Sequence, residues 1–392
     1  MQAIKPVVIT EAMLTSSTVL EPDTATGEIG WVSTDPYVAG DNRVSTVTHK
    51  VYQRLGTGSA KTIQLVSASI DEIRIDAHGI ADDVAVRVRA PSGGTIPGGL
   101  SAATTYYKRP ATVNPTADYI KLSLTPGGAA VDITSSGSGT LEILVGAVVS
   151  SARPEADTAA WGEVEATNRW RFQDEIVSSK SARASSIQYV ITPGVVITGM
   201  AVFGLVGSTI TYQVHNGGTQ VYTSTQNLDG YSLSGWAGIL FAQTDNIREA
   251  WFTGMATGAG YKHTITVNAT SGNAEIGEIV MGSLYDFGLV AYGSSGGIRS
   301  KSRVEENDFG REVFTRRANA KKTRLLMTLT EAEINRVYML LTDLESVPCA
   351  WRAVSVFNYQ APLTVYGWYG EFDQLFETFG KTTCTLDIKG RV

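Results

Sequence analysis

The feature that most restricts this chain is a period-two alternation of apolar and polar residues, repeated in short runs that glycine and proline cut before any grows long. Such a run puts alternate side chains on opposite faces of an extended backbone, so it buries one face only by lying in a sheet. Between Lys61 and Val148 the runs fall at 63–66, 70–75, 84–88, 119–124 and 141–145. Pro91-Ser92-Gly93-Gly94, Pro97-Gly98-Gly99 and Pro126-Gly127-Gly128 mark reversals between them, where glycine supplies the positive φ that tight turns need. Strands at this spacing predict an Ig-like β-sandwich over 54–149. Further runs at 187–191, 200–203, 210–214, 264–267 and 275–281 predict a jelly-roll-like sandwich over 173–290. The first fifty residues carry short apolar runs such as Val7-Val8-Ile9-Thr10, broken by Pro22, Gly27, Gly30, Pro36 and Gly40, and read as small strands.

One segment follows the helical period instead. Thr330 and Glu333 form a capping-box pair, and Ile334, Val337, Tyr338, Leu341 and Leu344 share one face before Pro348 ends the pattern. Alternating runs at 323–329, 363–369 and 383–388 flank it, which predicts an α+β unit with one helix over 291–392. The Gly/Ser-rich stretch from Tyr292 to Gly297 has no apolar face and reads as the boundary before that unit. The fold class is therefore mainly β, built from several sandwiches and a C-terminal α+β unit. Hydrophobic residues at 43% against 18% charged exclude general disorder.

A net charge of −6 provides no overall attraction to phosphates, which argues against nucleic acid as the main partner. No window approaches ~18 uninterrupted apolar residues, so membrane insertion by a helix is not expected. Met1-Gln2-Ala3-Ile4-Lys5-Pro6 lacks the pattern of a secretory signal. The two cysteines, Cys349 and Cys384, have neither CxxC spacing nor the density of a disulfide scaffold. His49, His78, His215 and His263 include no HxH or HxxxH pair, so no metal and no cofactor is expected. The serine loops at 230–235 and 292–297 do not match GxSxG. Glu163/Glu165, Glu275/Glu278 and Glu371/Asp373 have the residue types of a glycosidase pair, and read more simply as solvated strand charge; no catalytic residue and no enzyme activity is assigned.

Asp35-Pro36-Tyr37-Val38-Ala39-Gly40-Asp41-Asn42-Arg43-Val44, followed by His49-Lys50-Val51-Tyr52, resembles the first half of a small aromatic module found in chitin-binding domains and bacteriophage tail proteins. Its second half resumes at Ala152-Arg153-Pro154-Glu155, Trp161-Gly162-Glu163-Val164 and Thr167-Asn168-Arg169-Trp170, so an N-terminal region containing this split module, 1–53 plus 150–172, surrounds the insertion at 54–149. The insertion is similar to a phage tail segment across 99–107 and 122–134. The stretch from Tyr292-Gly293-Ser294-Ser295 to Val365-Tyr366-Gly367-Trp368-Tyr369-Gly370-Glu371-Phe372 resembles the C-terminal portion of phage tail proteins. This implies a tail-tube-like α+β oligomerisation domain and a distal-tail-like component of the virion's tail tip or baseplate, made in the host cytoplasm. The implied partners are copies of itself in a hexameric or trimeric ring, and tube, hub and fibre proteins.

Two surfaces follow as candidates. Trp31, Tyr37, Tyr52, Trp161 and Trp170 in the module, with Trp236 and Trp251 beside Gly-rich loops, are residue types that stack on sugar rings, and would serve attachment to host-surface glycan; core packing is the competing reading. Arg311, Arg316, Arg317, Lys321 and Lys322, in the one basic concentration that begins at Arg299-Ser300-Lys301-Ser302-Arg303, lie near Glu305, Glu306 and Asp308. A charged hairpin of this kind offers complementary signs to a second copy, which favours a subunit interface over DNA, because aromatic residues are not interleaved with the charges.

Overall fold

The computed structural model describes residues 1–149, 152–229, 247–306, 310–353, 360–378 and 381–391. The chain is mainly β, with several antiparallel sheets and, among the described residues, one helix longer than four residues. It divides into two compact units, Met1–Val19 with Asn168–Val392, and Leu20–Thr167.

The first unit is organised by a nine-stranded sheet in the order Glu249–Thr253, Gly199–Phe203, Glu278–Asp286, Gln2–Pro6, Cys349–Arg352, Thr364–Thr378, Lys381–Gly390, Asn319–Thr330, Ser295–Ser300. The N-terminal strand is the seam: Ala3 lies opposite Tyr285 on one side and Trp351 on the other. Over one half, a five-stranded sheet (Thr219–Asn227, Thr209–Asn216, Lys262–Ile276, Ser181–Ile191, Leu14–Ser17) closes a sandwich. Ile187, Tyr189, Tyr212 and Ile265 meet Met200, Val202, Phe252 and Met281 in its core. The alternate residues Ala201, Phe203 and Val280 turn to the opposite face and pack with Ile4, Ala350 and Tyr366, so Gly199–Phe203 is buried on both sides. Over the other half lies the helix Glu331–Asp343, whose Val337 and Leu341, with Leu344 just beyond, pack on Leu325, Met327, Leu386 and Ile388. At its start the Glu333 carboxylate accepts hydrogen bonds from the Thr330 amide (3.0 Å) and hydroxyl (2.8 Å).

Several boundaries differ from the sequence reading. The regions 173–290 and 291–392 share one sheet, and the Gly/Ser stretch leads into its edge strand, Ser295 lying opposite Arg324. A strand exposed on both faces has no alternation to announce it. Residues 1–19 belong to the sandwich unit, not to the aromatic module, because Leu14 and Val19 fill the sandwich core. The run at 275–281 is two strands in two sheets, and the chain crosses between them at Gly277, where a Cβ would stand 2.3 Å from the Val177 carbonyl oxygen. On the helix, Tyr338 is exposed although its spacing matches the buried stripe.

The second unit contains the insertion, a seven-stranded sheet in the order Ser59–Ile63, Leu141–Val145, Ala85–Arg89, Tyr106–Pro110, Tyr119–Ser123, Glu72–Arg74, Leu65–Ser67. Its two edge strands are separated by Gln64 alone, and one residue spans at most ~3.6 Å. The edges therefore meet at a corner, and the sheet rolls around one core containing Ile73, Val86, Val88, Ile120, Leu122 and Ile143. The Ig-like layers are one continuous sheet. Around the insertion, Lys50–Arg54 pairs with Asn42–Ser45 and with Trp161–Ala166, and Pro36–Tyr37 pairs with Val148–Val149.

Arg89 ties the insertion to this small module. Its guanidinium donates to both Asp41 oxygens (2.6 and 2.9 Å) and to Glu142 Oε2 (2.7 and 3.0 Å), largely out of solvent. Burial alone would raise the Asp41 pKa, but hydrogen bonds from Arg89 and the Val38 amide outweigh it and hold the carboxyl below its ordinary value. Arg89→Ala leaves two carboxylates facing each other, and should destabilise the chain by about 3–5 kcal/mol in chemical denaturation.

A buried carboxyl gives the first unit a distinct pH response. Glu278 accepts the Glu175 amide (3.0 Å), and burial, reinforced by the Asp174 charge, raises its pKa well above the ordinary 4.5. The folded chain therefore holds this proton more tightly than the unfolded chain. The associated stability is complete below about 4.5 and is lost as pH rises through the folded value. Glu278→Gln keeps an oxygen acceptor and removes the titration, so the variant should gain stability over wild type as pH rises above about 4.5, with no such gain below it, in parallel thermal melts.

Candidate functional site

The aromatic candidates are core residues. Tyr37 and Trp161 are each 1% exposed and meet edge to face at 5.0 Å, with Tyr52 buried and Trp31 packed against them. Arg43 lies over the Tyr37 ring and Arg54 over Trp161. The Tyr37 hydroxyl donates to the Val32 carbonyl (2.5 Å) and accepts its amide (2.8 Å). Trp170 belongs to the sandwich core, stacked on Phe172 at 5.8 Å. Trp251 is buried among Phe203 and Val280, with Arg352 over its ring. Apart from Trp31, which is partly buried, these rings leave no open face on which a sugar could stack, which corrects the stacking-platform reading for Tyr37, Tyr52, Trp161, Trp170 and Trp251. Trp236 lies outside the described residues.

The basic candidates divide: Lys322 stands on the outer face of the nine-stranded sheet, where folding adds residues that the linear pattern did not single out, while Arg316, Arg317 and Lys321 line a second cleft and Arg311 is exposed just before the strand Glu312–Thr315. Arg316, Arg317, Lys321 and Lys322 lead out of an exposed hairpin, Arg303–Glu306 with Glu312–Thr315, into the strand Asn319–Thr330. In register across four strands, Gly297 lies opposite Lys322, Lys322 opposite Lys389, and Lys389 opposite Trp368. The next row carries Ser295, Arg324, Asp387 and Glu371, with Arg324 and Asp387 paired at 3.5 Å. A cleft of about 520 Å³ lies here, lined by Arg299, Lys301, Lys322, Arg324, Lys389 and Trp368 among others.

Lys322 and Lys389 are like charges placed directly opposite, an arrangement that destabilises a sheet. The two chains splay apart. Lys322 lies over Gly297 and Lys389 over Gly370, each occupying space that a Cβ there would need. Among the described residues, neither lysine has a carboxylate partner, and nor do Arg299 and Lys301. Trp368 stays 37% exposed with the Arg391 guanidinium 5.8 Å from its ring centre. Positive charge and aromatic surface are thus interleaved in space although they are not in sequence. Alternation in the strands 381–390 and 364–378 put Lys389 and Trp368 on a polar face, but only pairing register brings them to Lys322.

A second cleft, also about 520 Å³, is lined by Lys180, Arg248, Arg316, Arg317, Lys321, Tyr366 and Arg391 among others. It is more nearly neutralised: Lys180 pairs with Glu275 at 2.8 Å, Lys321 with Glu249, and Arg391 with Glu175. The carboxylate pairs do not converge on a cavity. Glu163 pairs with Lys50 (3.0 Å), Glu275 is surface charge while Glu278 is buried, and Glu371 and Asp373 are exposed. His49 Nδ1 lies 3.0 Å from Glu21, and His263 is a buried neighbour of the Tyr212 hydroxyl, its pKa lowered to about 4 by burial. Cys349 and Cys384 are buried free thiols, the first with its pKa pushed up to about 12 by burial. Among the described residues, no group of three or more His, Cys, Asp and Glu could hold a metal.

If the lysine pair is a self-repelling element, Lys322→Ala should stabilise the unassembled chain by about 0.2–1 kcal/mol at low salt, and the gain should fade in high salt. Thermal melts across an ionic-strength series check this. No protein-family model matches the sequence, and a comparison with characterised proteins finds no match.

Proposed function

We propose that this protein is a structural subunit of a tailed-bacteriophage tail tip or baseplate, which associates with copies of itself into a ring and acts by assembly instead of catalysis. The resemblance of residues 292–372 to phage tail proteins supplies the context. The observation that carries the reading is the hairpin Arg303–Glu306 with Glu312–Thr315: every residue of these two strands is exposed, including Val304, Val313 and Phe314, the last at 64%. A two-stranded hairpin is marginal in water by itself, and apolar side chains on it gain only when another surface covers them. The edge strand Ser295–Ser300, from which it rises, presents a further open row of backbone groups to a neighbour.

Obligate interfaces of this kind bury about 2,000 Å² or more, so association should persist on dilution. Native mass spectrometry and light scattering of the purified chain should show one closed multimer. Replacing residues 303–315 by a short Gly-Ser turn should give a monomer that melts as the intact chain does. An intact chain that stays monomeric at high micromolar concentration contradicts the proposal.

A further inference from the structure

The hairpin and the cationic cleft carry matching defects of opposite sign. In the hairpin, Glu306 lies directly opposite Glu312, both exposed, so two carboxylates repel across the strands just as Lys322 and Lys389 do across the sheet. Cross-strand partners share a face, and that face alternates with the next pair, so Val304 and Phe314 stand on the same side as Glu306 and Glu312, two pairs along, with Glu305 and Val313 between them on the other side. On the sheet, Trp368 stands in the row of Lys322 and Lys389. Each surface thus shows a like-charge pair with apolar area beside it, the hairpin negative and the cleft positive. Neither defect is relieved within the chain among the described residues: in the hairpin Arg303 pairs with Glu305, and on the cleft's outer face Arg324 pairs with Asp387.

We infer that the occupant of the cationic cleft is the hairpin of a second copy of this chain, with Glu306 and Glu312 over Lys322 and Lys389 and Phe314 against Trp368. The inference rests on the ring reading and specifies its contact. The hairpin strands and the cleft are different surfaces of the same chain, so the contact is head to tail and propagates from copy to copy until the rotation closes. Opposite charge neutralises both repelling pairs at once, which fixes register as well as favouring contact.

Charge exchange tests this. Glu306→Lys with Glu312→Lys, and separately Lys322→Glu with Lys389→Glu, should each weaken self-association of the full chain by about a hundredfold in sedimentation measurements. An equimolar mixture of the two variants should assemble again, as should a chain carrying all four changes, because reversed hairpin meets reversed cleft. The neutral pairs Glu306→Gln with Glu312→Gln and Lys322→Gln with Lys389→Gln should give intermediate losses, and circular dichroism melts confirm that each variant folds. If either reversed chain assembles as the intact chain does, or if the mixture and the fourfold exchange stay dissociated, the docking is overturned while the ring reading stands on the intact chain's own multimer. If the intact chain is monomeric, both fall.

Discussion

The structure of the larger unit depends on the pairing of one short strand. Gln2–Pro6 hydrogen-bonds to Glu278–Asp286 on one edge and Cys349–Arg352 on the other, and so joins strands from opposite parts of the chain into one sheet. A β-strand has two edges, and satisfying both with distant segments removes the seam along which the sheet would otherwise divide. The sandwich core around Tyr189, Tyr212 and Met200 and the helical core around Leu341, Met327 and Leu386 are thereby two sides of a common scaffold. The cationic cleft and the hairpin inherit their positions from it, since both are built on its last strands.

Burial separates the aromatic residues by role. Tyr37, Tyr52 and Trp161 form the buried aromatic cluster of the small module, so their rings contribute most where water is excluded. Trp368 has the opposite situation, 37% exposed beside lysines that have no carboxylate partner among the described residues. The contrast explains why an inventory of tryptophans is a poor guide to a binding surface. What distinguishes the two sets is the face of the sheet on which each side chain stands, together with what packs over it.

Alternation in the sequence was enough for the strands at 187–191, 210–214 and 383–388, because each has one wet and one dry face. It failed where that contrast disappears. Ser295–Ser300 is exposed on both faces and reads as linker, and 275–281 is apolar across a crossing between sheets that only the close approach at Gly277 marks. The capping box at Thr330 and Glu333 was legible because its partners are three residues apart, while Tyr338 shares the helical period of its neighbours and differs only in what faces it. Of the candidate surface, Lys322 and the hairpin acids were visible as a charge concentration. Lys389 and Trp368 were not, since they come from other strands by register.

The sequence by itself determined the β class, the one amphipathic helix and the charged segment between 299 and 324, since these depend on residue type and spacing along a few turns or strands. The tertiary structure decided which strands share a sheet, which rings are core and which cations stand without a counter-charge. Those outcomes depend on pairing between segments hundreds of residues apart, as between Ala3 and Tyr285, and local periodicity contains no term for such contacts.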